Sequence, residues 1–404
     1  MCSNIRSIGI YKLVVLAIYV FTVFHVGYAS GSDIYVPDVY QTIQEAIDAA
    51  TEGDIIILRD GLYRISSGSA FGIISRDITI RSENGPKKCI LDGETIRGGF
   101  FFRSGLSRKA TISGVTIINC GAGAIRLWYT SPTIVNCIIS NNSLVATGAA
   151  GIHCDNSSPL IENCTIVNNS SIGSFPGGGG ISCYYSSPTI INCTISGNTA
   201  VRGGGISAIN SHATILNSII SNNSAEGLGG GLYWNHFSFP TITNCIIAGN
   251  EAAMGGGIYA RASSPKITNC TISMNKKDGI RCVGRSNPII TNCILWENKH
   301  NISKPKWGES EQMFPEPIVT YSDVENGYPG TGNIDTDPSF VDPRNGDFRL
   351  NADSPCINKG SNSTPDLPRT DLAGSTRISG EIIDMGAYEY QGVSSTGEGK
   401  PKDK

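Results

Sequence analysis

Between residues 131 and 298 the chain repeats one pattern of apolar and polar positions seven times. The first copy reads Ser-Pro-Thr-Ile-Val-Asn-Cys-Ile-Ile-Ser-Asn-Asn, and every copy keeps an Ile two residues before its first Asn and a second Asn six residues after it. The first Asn falls at 136, 163, 192, 217, 244, 269 and 292, so that the copies lie 23 to 29 residues apart. A period in this range predicts a solenoid.

The residue types within each copy favour strands. Ile and Val flanked by Thr and Ser suit a pleated surface, whereas a leucine-rich repeat of similar period would also need a helical pattern. Ile134 and Asn136 share one parity, and Cys137 and Ile139 share the other. A strand can present this pattern only if it bends between residues 136 and 137. We therefore predict an all-β chain, with three parallel strands in each turn.

Two series of Asn mark the predicted corners. Asn tolerates left-handed backbone angles, and stacked amides can bond one another along the solenoid axis. Some members, such as Asn163 and Asn192, also match the N-x-Ser/Thr acceptor rule, but a corner role explains every copy. The first predicted ladder comprises Asn136, Asn163, Asn192, Asn217, Asn244, Asn269 and Asn292. The second comprises Asn142, Asn169, Asn198, Asn223, Asn250, Asn275 and Asn298.

One corner of each turn absorbs the variation in repeat length. The second Asn is followed, after a variable number of residues, by a Gly-Ile pair such as Gly151-Ile152, whereas the distance from that Ile to the next copy is nearly constant. This pattern resembles the right-handed parallel β-helix of the pectate-lyase-like superfamily, in which such a loop borders the strand face that carries the substrate groove. The resemblance implies the fold and a polysaccharide ligand, and it is weak for activity.

The ends of the chain differ from the repeats. Residues 1–30 have a basic start, an apolar run and small residues, which predicts a cleaved signal peptide, with an uncleaved anchor as the alternative. We therefore expect a secreted or cell-surface protein, extracellular or periplasmic, with no transmembrane segment in the mature chain. Without that segment 29 basic and 34 acidic residues remain, and this net charge of −5 argues against a nucleic-acid partner.

The rest of the chain divides into four parts. Residues 31–64 resemble the N-terminal cap of exported β-helix proteins, with a capping box at Thr42 and Glu45 and a helix through Ala50. Residues 65–300 form the coils. Residues 301–391, which include Trp307 and Met313, resemble an irregular C-terminal segment that follows β-helices in exported bacterial proteins of unknown role, and residues 392–404 are expected to be disordered.

The 13 cysteines recur at fixed positions of the repeat, mainly directly after the first Asn. We interpret them as an inward row of reduced thiols, because free Cys packs as a small apolar residue. Their spacing lacks the pairs of a zinc site, so no metal ligands are assigned. The Asp-rich C-terminal segment leaves Ca²⁺ as an alternative to turn-forming Asp.

The strand after each Gly-Ile predicts one outward strip of polar and aromatic residues. Such a strip suits sugar rings, although a plain strand surface would also carry these residue types. We predict that the rings of Tyr233 and Tyr259 lie outside the core. The predicted ligand-binding residues are Trp128, Tyr184, Tyr233, Asn235, Tyr259, Arg261 and Arg281.

Catalytic groups are sparse on this strip. Asp155 is its single carboxylate, two residues from His153, and these two residues with Arg126 are the candidate catalytic set. A glycosidase would need paired carboxylates. We therefore expect a monomeric, exported β-helix protein that contacts polysaccharide or cell-surface glycans without catalysis. The alternatives are a polysaccharide lyase or glycoside hydrolase, and a structural or adhesive surface protein.

Overall fold

The computed structural model describes residues 31–65, 70–74, 76–173, 177–305 and 315–392. The predicted signal peptide, Trp307, Met313 and residues 393–404 lie outside this part of the chain. None of the described helices is long and apolar enough to cross a bilayer.

Three long sheets run along the molecule, and every pairing within them is parallel. Each turn of the chain contributes one strand to sheet A, one to sheet B and one to sheet C, in that order. The predicted parallel β-helix is thereby confirmed. Sheets A, B and C contain 12, 11 and 10 strands, so the solenoid has about eleven turns.

Sheet A consists of Asp33–Val36, Ile55–Leu58, Thr79–Ser82, Thr111–Ser113, Thr133–Val135, Leu160–Glu162, Thr189–Ile191, Thr214–Leu216, Thr241–Thr243, Lys266–Thr268, Ile289–Thr291 and Ile318–Thr320. Sheet B consists of Gly61–Arg64, Cys89–Asp92, Thr116–Ile118, Ile138–Ser140, Thr165–Val167, Thr194–Ser196, Ile219–Ser221, Ile246–Ala248, Thr271–Ser273, Ile294–Trp296 and Asp323–Val324. Sheet C consists of Phe71–Ile74, Phe100–Arg103, Ile125–Trp128, Ile152–Asp155, Ile181–Tyr184, Ile206–Ile209, Leu232–Asn235, Ile258–Arg261, Asp278–Val283 and His300–Ser303.

Inward side chains of the three sheets form one continuous core. Ile134 from sheet A, Ile139 from sheet B and Ile152 from sheet C are all fully buried and recur in register on the next turn. The predicted inward row of cysteines is confirmed, because Cys137, Cys164 and their equivalents are buried free thiols. Burying a full apolar face on every turn is what stabilises a solenoid of short strands.

The N-terminal cap forms as predicted and also supplies the first strand of sheet A. Thr42 accepts a hydrogen bond from the backbone of Glu45, whose side chain bonds the Thr42 backbone in return, and this capping box opens the helix Ile43–Ala49. Asp33–Val36 pairs in parallel with Ile55–Leu58. The helix therefore closes the end of the core while the strand before it extends sheet A.

The first Asn series sets the corner between sheets A and B through its backbone. All seven residues have a positive φ, between 48° and 56°. Within the described residues, side-chain bonds in this series join only Asn217 to Asn244 and Asn269 to Asn292. Asn136, Asn163 and Asn192 are exposed. The main role of this series is therefore to adopt the left-handed conformation, which Asn tolerates better than most residues.

The second Asn series forms a continuous buried ladder after sheet B. In each step Nδ2 and the backbone N–H of one Asn both donate to Oδ1 of the next, as Asn198 does to Asn223 at 3.0 Å for each bond. Nδ2 also donates to a core carbonyl of the turn before, in this case that of Ile166. The left-handed residue at this corner is the one before the ladder Asn, such as Asn141 or Gly197.

A third ladder, which the sequence analysis did not identify, consists of serines at the corner between sheets C and A. The backbone N–H of each Ser donates to Oγ of the next, as Ser157 does to Ser186 at 2.9 Å. Ser186 Oγ in turn donates to the carbonyl of Tyr184. The ladder comprises Ser157, Ser186, Ser211, Ser238 and Ser263. This corner therefore also carries one side-chain bond between successive turns, against two in each step of the Asn ladder.

Two further parts of the chain cover the faces of the solenoid. The variable loops form a five-stranded parallel sheet, called here the cover sheet, which consists of Ser143–Leu144, Ser170–Ser171, Thr199–Arg202, Ser224–Leu228 and Glu251–Met254. Gly148–Ala149 and Gly177–Gly178 form a two-stranded sheet beside it. The C-terminal segment contains the antiparallel pair Phe340–Asp342 and Asp347–Leu350, joined by the 3₁₀ helix Pro343–Asn345.

The C-terminal segment packs on the later strands of sheet B. Phe348 and Ala387 bury Ile246, and Met385 contacts the cluster around Ile294. Asn292 donates to the carbonyl of Ser361, so the last members of the first Asn series are buried although the earlier ones are exposed. This half of sheet B is therefore part of the protein interior.

Candidate functional site

The register of sheet C confirms that the predicted strip residues stack in two rows. Each row is continuous from one turn to the next, because the strands pair without a bulge. The first row contains Arg126, His153, Ser182, Ser207, Tyr233, Tyr259 and Arg281. The second contains Trp128, Asp155, Tyr184, Ile209, Asn235, Arg261 and Val283.

The later half of this strip is covered, which corrects the prediction that its aromatic rings lie outside the packed interior. Tyr233 and Tyr259 are only 2% and 4% exposed, and they pack with Ile209, Val283 and Leu228 of the cover sheet. The variable loops fold back over the strand face here, and the sequence pattern did not reveal this because it showed only that their length varies. These two tyrosines are therefore packing residues.

Asn235 is buried with them. Its Nδ2 donates to the hydroxyl of Tyr233 at 2.8 Å, and its Oδ1 accepts from the backbone of His236. Burial raises the pKa of Tyr233. The predicted ligand-binding role of Asn235 is replaced by this internal bond, whereas Arg261 at the next turn is exposed. Arg281, the last predicted binding residue, is half-buried and its Nη1 lies 3.3 Å from the carbonyl of Lys304.

Glycines let the covering backbone approach the first row closely. A Cβ at Gly203 would lie 2.7 Å from Cβ of Ser207, and one at Gly178 would lie 2.2 Å from the carbonyl oxygen of Ile181. Real side chains do not tolerate such approaches, so these positions require Gly. The middle of the first row is closed by backbone, which leaves no room for a sugar ring above Ser182 and Ser207.

The candidate catalytic residues lie at the edge of this covered zone. Nδ1 of His153 is buried and has no hydrogen-bond partner among the described residues. Burial and, to a smaller extent, the neighbouring Arg126 together lower the pKa of His153 to about 4, while Asp155 opposes them. His153 is therefore neutral near pH 7. Nη2 of Arg126 lies 3.3 Å from the carbonyl of Thr147, and burial lowers the pKa of Arg126.

Two loop carboxylates that border the strip are already engaged. Asp278 is buried, and its Oδ2 accepts a 2.8 Å bond from the backbone of Gly255. Glu251 pairs with Lys276 at 2.6 Å. Asp155 is thus the accessible acid of the strip, half-buried beside its neighbour Asn156. The geometry does not bring a second carboxylate to it, as paired-acid hydrolysis would need.

The early half of the strip is open. The indole of Trp128 is 48% exposed and stacks on Tyr129, with ring centroids 6.4 Å apart and planes inclined by 30°. The guanidinium of Arg103 lies over the rings of Phe101 and Trp128, at 4.2 Å and 5.9 Å from their centroids. Arg103, Ser104, Trp128 and Tyr129 line a depression of about 300 Å³. Aromatic faces beside cationic and hydroxyl groups are typical of carbohydrate sites.

A row of residues continues from Tyr129 along the corner between sheets C and A, and all of its members except the half-buried Asn210 are exposed. We call it the corner ridge, and it consists of Tyr129, Asn156, Tyr185, Asn210 and Phe237. All five have a left-handed φ, from 46° to 55°. The predicted strip contains outward residues of each strand and not the residue that follows the strand, so these five residues were missed. The doubled aromatic pairs Trp128-Tyr129 and Tyr184-Tyr185 are the signal in the sequence that could have indicated them.

The structure offers no clustered metal ligands. Over the described ranges, His, Cys, Asp and Glu form no group of three or more that could hold an ion. In the C-terminal segment, Oδ1 of Asp371 accepts bonds from the backbone of Ala373 and Ser375 at 2.9 Å and 2.8 Å. This is the turn-forming arrangement that the sequence analysis set against Ca²⁺.

Comparison with known proteins agrees with the fold. A model of the right-handed β-helix region matches residues 58–200 and 179–305, which together make up more than half of the chain. The chain belongs to the right-handed β-helix family. The predicted hand of the solenoid is thereby confirmed.

Several solved structures resemble this β-helix. Pectate lyase Pel9A has a TM-score of 0.58 and 16% identity over 86% of this chain and 90% of its own. The PL6 family alginate lyase AlyGC has a TM-score of 0.41 and 14% identity over 76% of this chain and 50% of its own. The pectin methylesterase from Aspergillus niger has a TM-score of 0.35 and 15% identity, with 71% and 89% covered. At these identities the likeness concerns the fold. No curated protein sequence matches the chain.

Proposed function

We propose that this β-helix protein binds polysaccharide at the open early half of sheet C, without transforming it. The observation that carries the proposal is the stacked, exposed pair Trp128 and Tyr129 beside the depression that Arg103 lines. Large aromatic rings at a protein surface lose water readily, and the C–H faces of sugars pack against them. Arg103 supplies donors for sugar hydroxyl groups.

Two facts support a carbohydrate over a small apolar ligand. The depression is shallow and opens onto the corner ridge, so that a chain can enter it lengthwise, whereas sites for small molecules are typically enclosed. In addition, the similar fold of Pel9A belongs to a pectate lyase. Together with the sequence pattern of residues 1–30, this supports a protein exported to meet a polysaccharide outside the cell.

The non-catalytic part of the proposal rests on the state of the candidate groups. His153 is neutral near pH 7 and its Nδ1 is buried, while Asp278 and Glu251 are engaged elsewhere. Asp155 is the accessible carboxylate of the strip, and a single acid does not meet the two-carboxylate requirement of most glycosidases. Binding therefore fits the site better than hydrolysis.

Affinity electrophoresis of the purified chain in gels containing a panel of polysaccharides tests this proposal. At least one polysaccharide should retard the wild type, and Trp128→Ala should reduce the retardation by about fivefold to tenfold. Ile289→Ala is the matched control, since Ile289 is 47% exposed but lies on sheet A. Retardation that survives Trp128→Ala would exclude this site. New reducing ends or unsaturated products, with or without Ca²⁺, would favour the enzymatic alternative.

A further inference from the structure

The corner ridge alternates between aromatic and amide side chains. In the order of the stacked turns it reads Tyr129, Asn156, Tyr185, Asn210 and Phe237, so that an aromatic ring recurs on every second turn. The three rings are 59%, 53% and 67% exposed. In the turn with Phe237, His236 directly follows the strand in register with Asn210, and Phe237 is one additional residue; both have a positive φ. The alternation persists through that insertion.

The aromatic members occupy a backbone conformation that does not suit them. Tyr129 and Tyr185 have φ values of 52° and 46°, in the left-handed region that bulky residues avoid. Asn156 and Asn210 occupy the same position on the intervening turns, and Asn is tolerated there. Packing does not require the tyrosines either, because more than half of each side chain is exposed. Strain of this kind is typical of residues kept for function.

The serine ladder holds these rings at a fixed spacing. Ser157 and Ser186 directly follow ridge residues Asn156 and Tyr185, and the ladder bonds them to each other and to the turns on either side. Adjacent strands of a sheet lie about 4.8 Å apart, so rings on every second turn are about 10 Å apart. Preorganised side chains of this kind bind with little loss of conformational entropy.

This spacing identifies a class of ligand. In a flat chain of 1,4-linked sugars with two-fold symmetry, one sugar spans about one strand spacing, and every second sugar presents the same face. We propose that the corner ridge binds an extended, neutral, β-1,4-linked glycan that runs parallel to the solenoid axis. Alternate sugars stack on Tyr129, Tyr185 and Phe237, and the amides of Asn156 and Asn210 bond the hydroxyl groups of the sugars between them.

The charge of the ridge supports a neutral chain. Its five side chains carry no formal charge, and the charged residues of the adjoining row, Arg103, Asp155 and Arg261, are of both signs and do not lie on consecutive turns as a row of cations would. A polyanionic chain would meet neither a row of cations nor a helix terminus along this corner. This inference rests on the proposed polysaccharide binding and specifies the ligand and its register.

Isothermal titration with β-1,4-linked gluco-oligosaccharides of two to eight sugars tests the register. Three rings two turns apart span about 19 Å, so affinity should rise until the ligand reaches about five sugars and then level off. Tyr185→Asn introduces the residue type that occupies this position on the two adjacent turns, and it should relieve the backbone strain. It should weaken binding of the six-sugar ligand about fivefold to tenfold, with a melting temperature equal to or above that of the wild type.

A swapped variant separates spacing from the number of aromatic residues. Tyr185→Asn combined with Asn156→Tyr keeps three rings on the ridge but places two of them on adjacent turns, and it should bind as weakly as Tyr185→Asn alone. Wild-type affinity in the swapped variant would overturn the register. If the wild type binds polysaccharides of another class and none of these oligosaccharides, the inference fails while the proposed function stands. If the wild type binds no polysaccharide, both fail.

Discussion

The rings of Tyr233 and Tyr259 stack 5.7 Å apart, with their planes inclined by 19°, inside a cluster that lies outside the solenoid core. The cluster joins sheet C to the cover sheet through Leu228. An aromatic pair of this geometry contributes beyond the area that it buries. The residues on the covered half of sheet C therefore form a second, smaller hydrophobic core, which packs the variable loops against the solenoid.

We expect Tyr233→Ala to lower the free energy of unfolding by about 3 kcal/mol, because it leaves a cavity and removes the hydroxyl that Asn235 bonds. Urea denaturation followed by tryptophan fluorescence measures this change. Tyr185→Ala, which removes an exposed tyrosine from the same sheet edge, should change the stability by less than about 1 kcal/mol. Equal losses in the two variants would show that the cluster does not stabilise the fold.

The two Asn corners should respond differently to the same substitution. Asn198→Leu removes bonds to Asn169, Asn223 and the carbonyl of Ile166 from a fully buried site, so we expect a loss of at least about 3 kcal/mol. Asn192→Leu should cost only about 1 kcal/mol, since that exposed residue contributes mainly its left-handed backbone.

Thr194→Val and Asn192→Gly are the controls for this prediction. Thr194 lies outward on sheet B and its side chain is half-buried, and Gly adopts a positive φ freely, so both variants should unfold within about 0.5 kcal/mol of the wild type. Chemical denaturation of the four proteins under one set of conditions ranks them. A loss at Asn192 as large as that at Asn198 would mean that both series form equivalent ladders.

Most of the fold could be predicted because every repeat contains the same pattern of apolar and polar positions. Ile134 and Asn136 recur with the same spacing seven times and Cys137 six times, and their alternating parity defines inward and outward positions without any knowledge of long-range contacts. The difference between the two Asn series could not be predicted in this way. Both series consist of Asn. Only the structure shows that the first series adopts the left-handed conformation at its corner, whereas the second directs its amides into the core.

The candidate site was less predictable, since it depends on contacts between distant segments. Register alone placed Trp128 and Tyr184 on one line, and that prediction is confirmed. Whether a strip residue is exposed, however, depends on the path of the variable loops, and the glycines at 178 and 203 allow those loops to close on the sheet. Exposed aromatic residues also follow the strands of sheet C, at positions that the two-residue alternation of strand side chains assigns to a turn.

The stacked thiols should be inert while the protein is folded. All twelve described cysteines are free and buried, and burial raises the pKa of Cys89, Cys120 and Cys282 to about 12. At pH 8 these three thiols are therefore protonated as well as shielded, and the thiolate is the reactive form. We expect a chromogenic disulfide reagent to modify them only on unfolding, at the rate of unfolding. Rapid modification of several thiols in the native protein would contradict this packing.

The burial of Asp323 should make stability depend on pH. Asp323 is fully buried at the end of sheet B, its Oδ2 accepts a bond from Sγ of Cys356 at 3.1 Å, and its Oδ1 accepts one from the backbone of Thr336. Burial is the largest influence and raises the pKa of Asp323 from 3.8 to about 6. Between these values the native protein holds a proton that the unfolded chain has released.

The contribution of Asp323 to the free energy of unfolding should therefore be greatest below about pH 4 and decline as the pH rises towards 6. One pKa unit corresponds to about 1.4 kcal/mol, so the loss attributable to Asp323 is at most about 3 kcal/mol. Asp323→Asn keeps an acceptor for the Thr336 N–H but cannot titrate. The free energy of unfolding of the wild type relative to this variant should thus fall between pH 4 and pH 7, as measured by urea denaturation at each pH.

Asp366→Asn is the control for this titration, because Asp366 is exposed in the same C-terminal segment and already adopts the left-handed conformation that Asn tolerates. Its difference from the wild type should stay constant to within about 0.5 kcal/mol over the same range. Burial also raises the pKa of Glu389, to about 7, so the free energy of unfolding of the wild type should fall further in this range. The variant Asp323→Asn should still show the share of this fall that Glu389 causes. A pH-independent difference between the wild type and Asp323→Asn would mean that Asp323 is solvated, and that the C-terminal segment does not seal the end of sheet B.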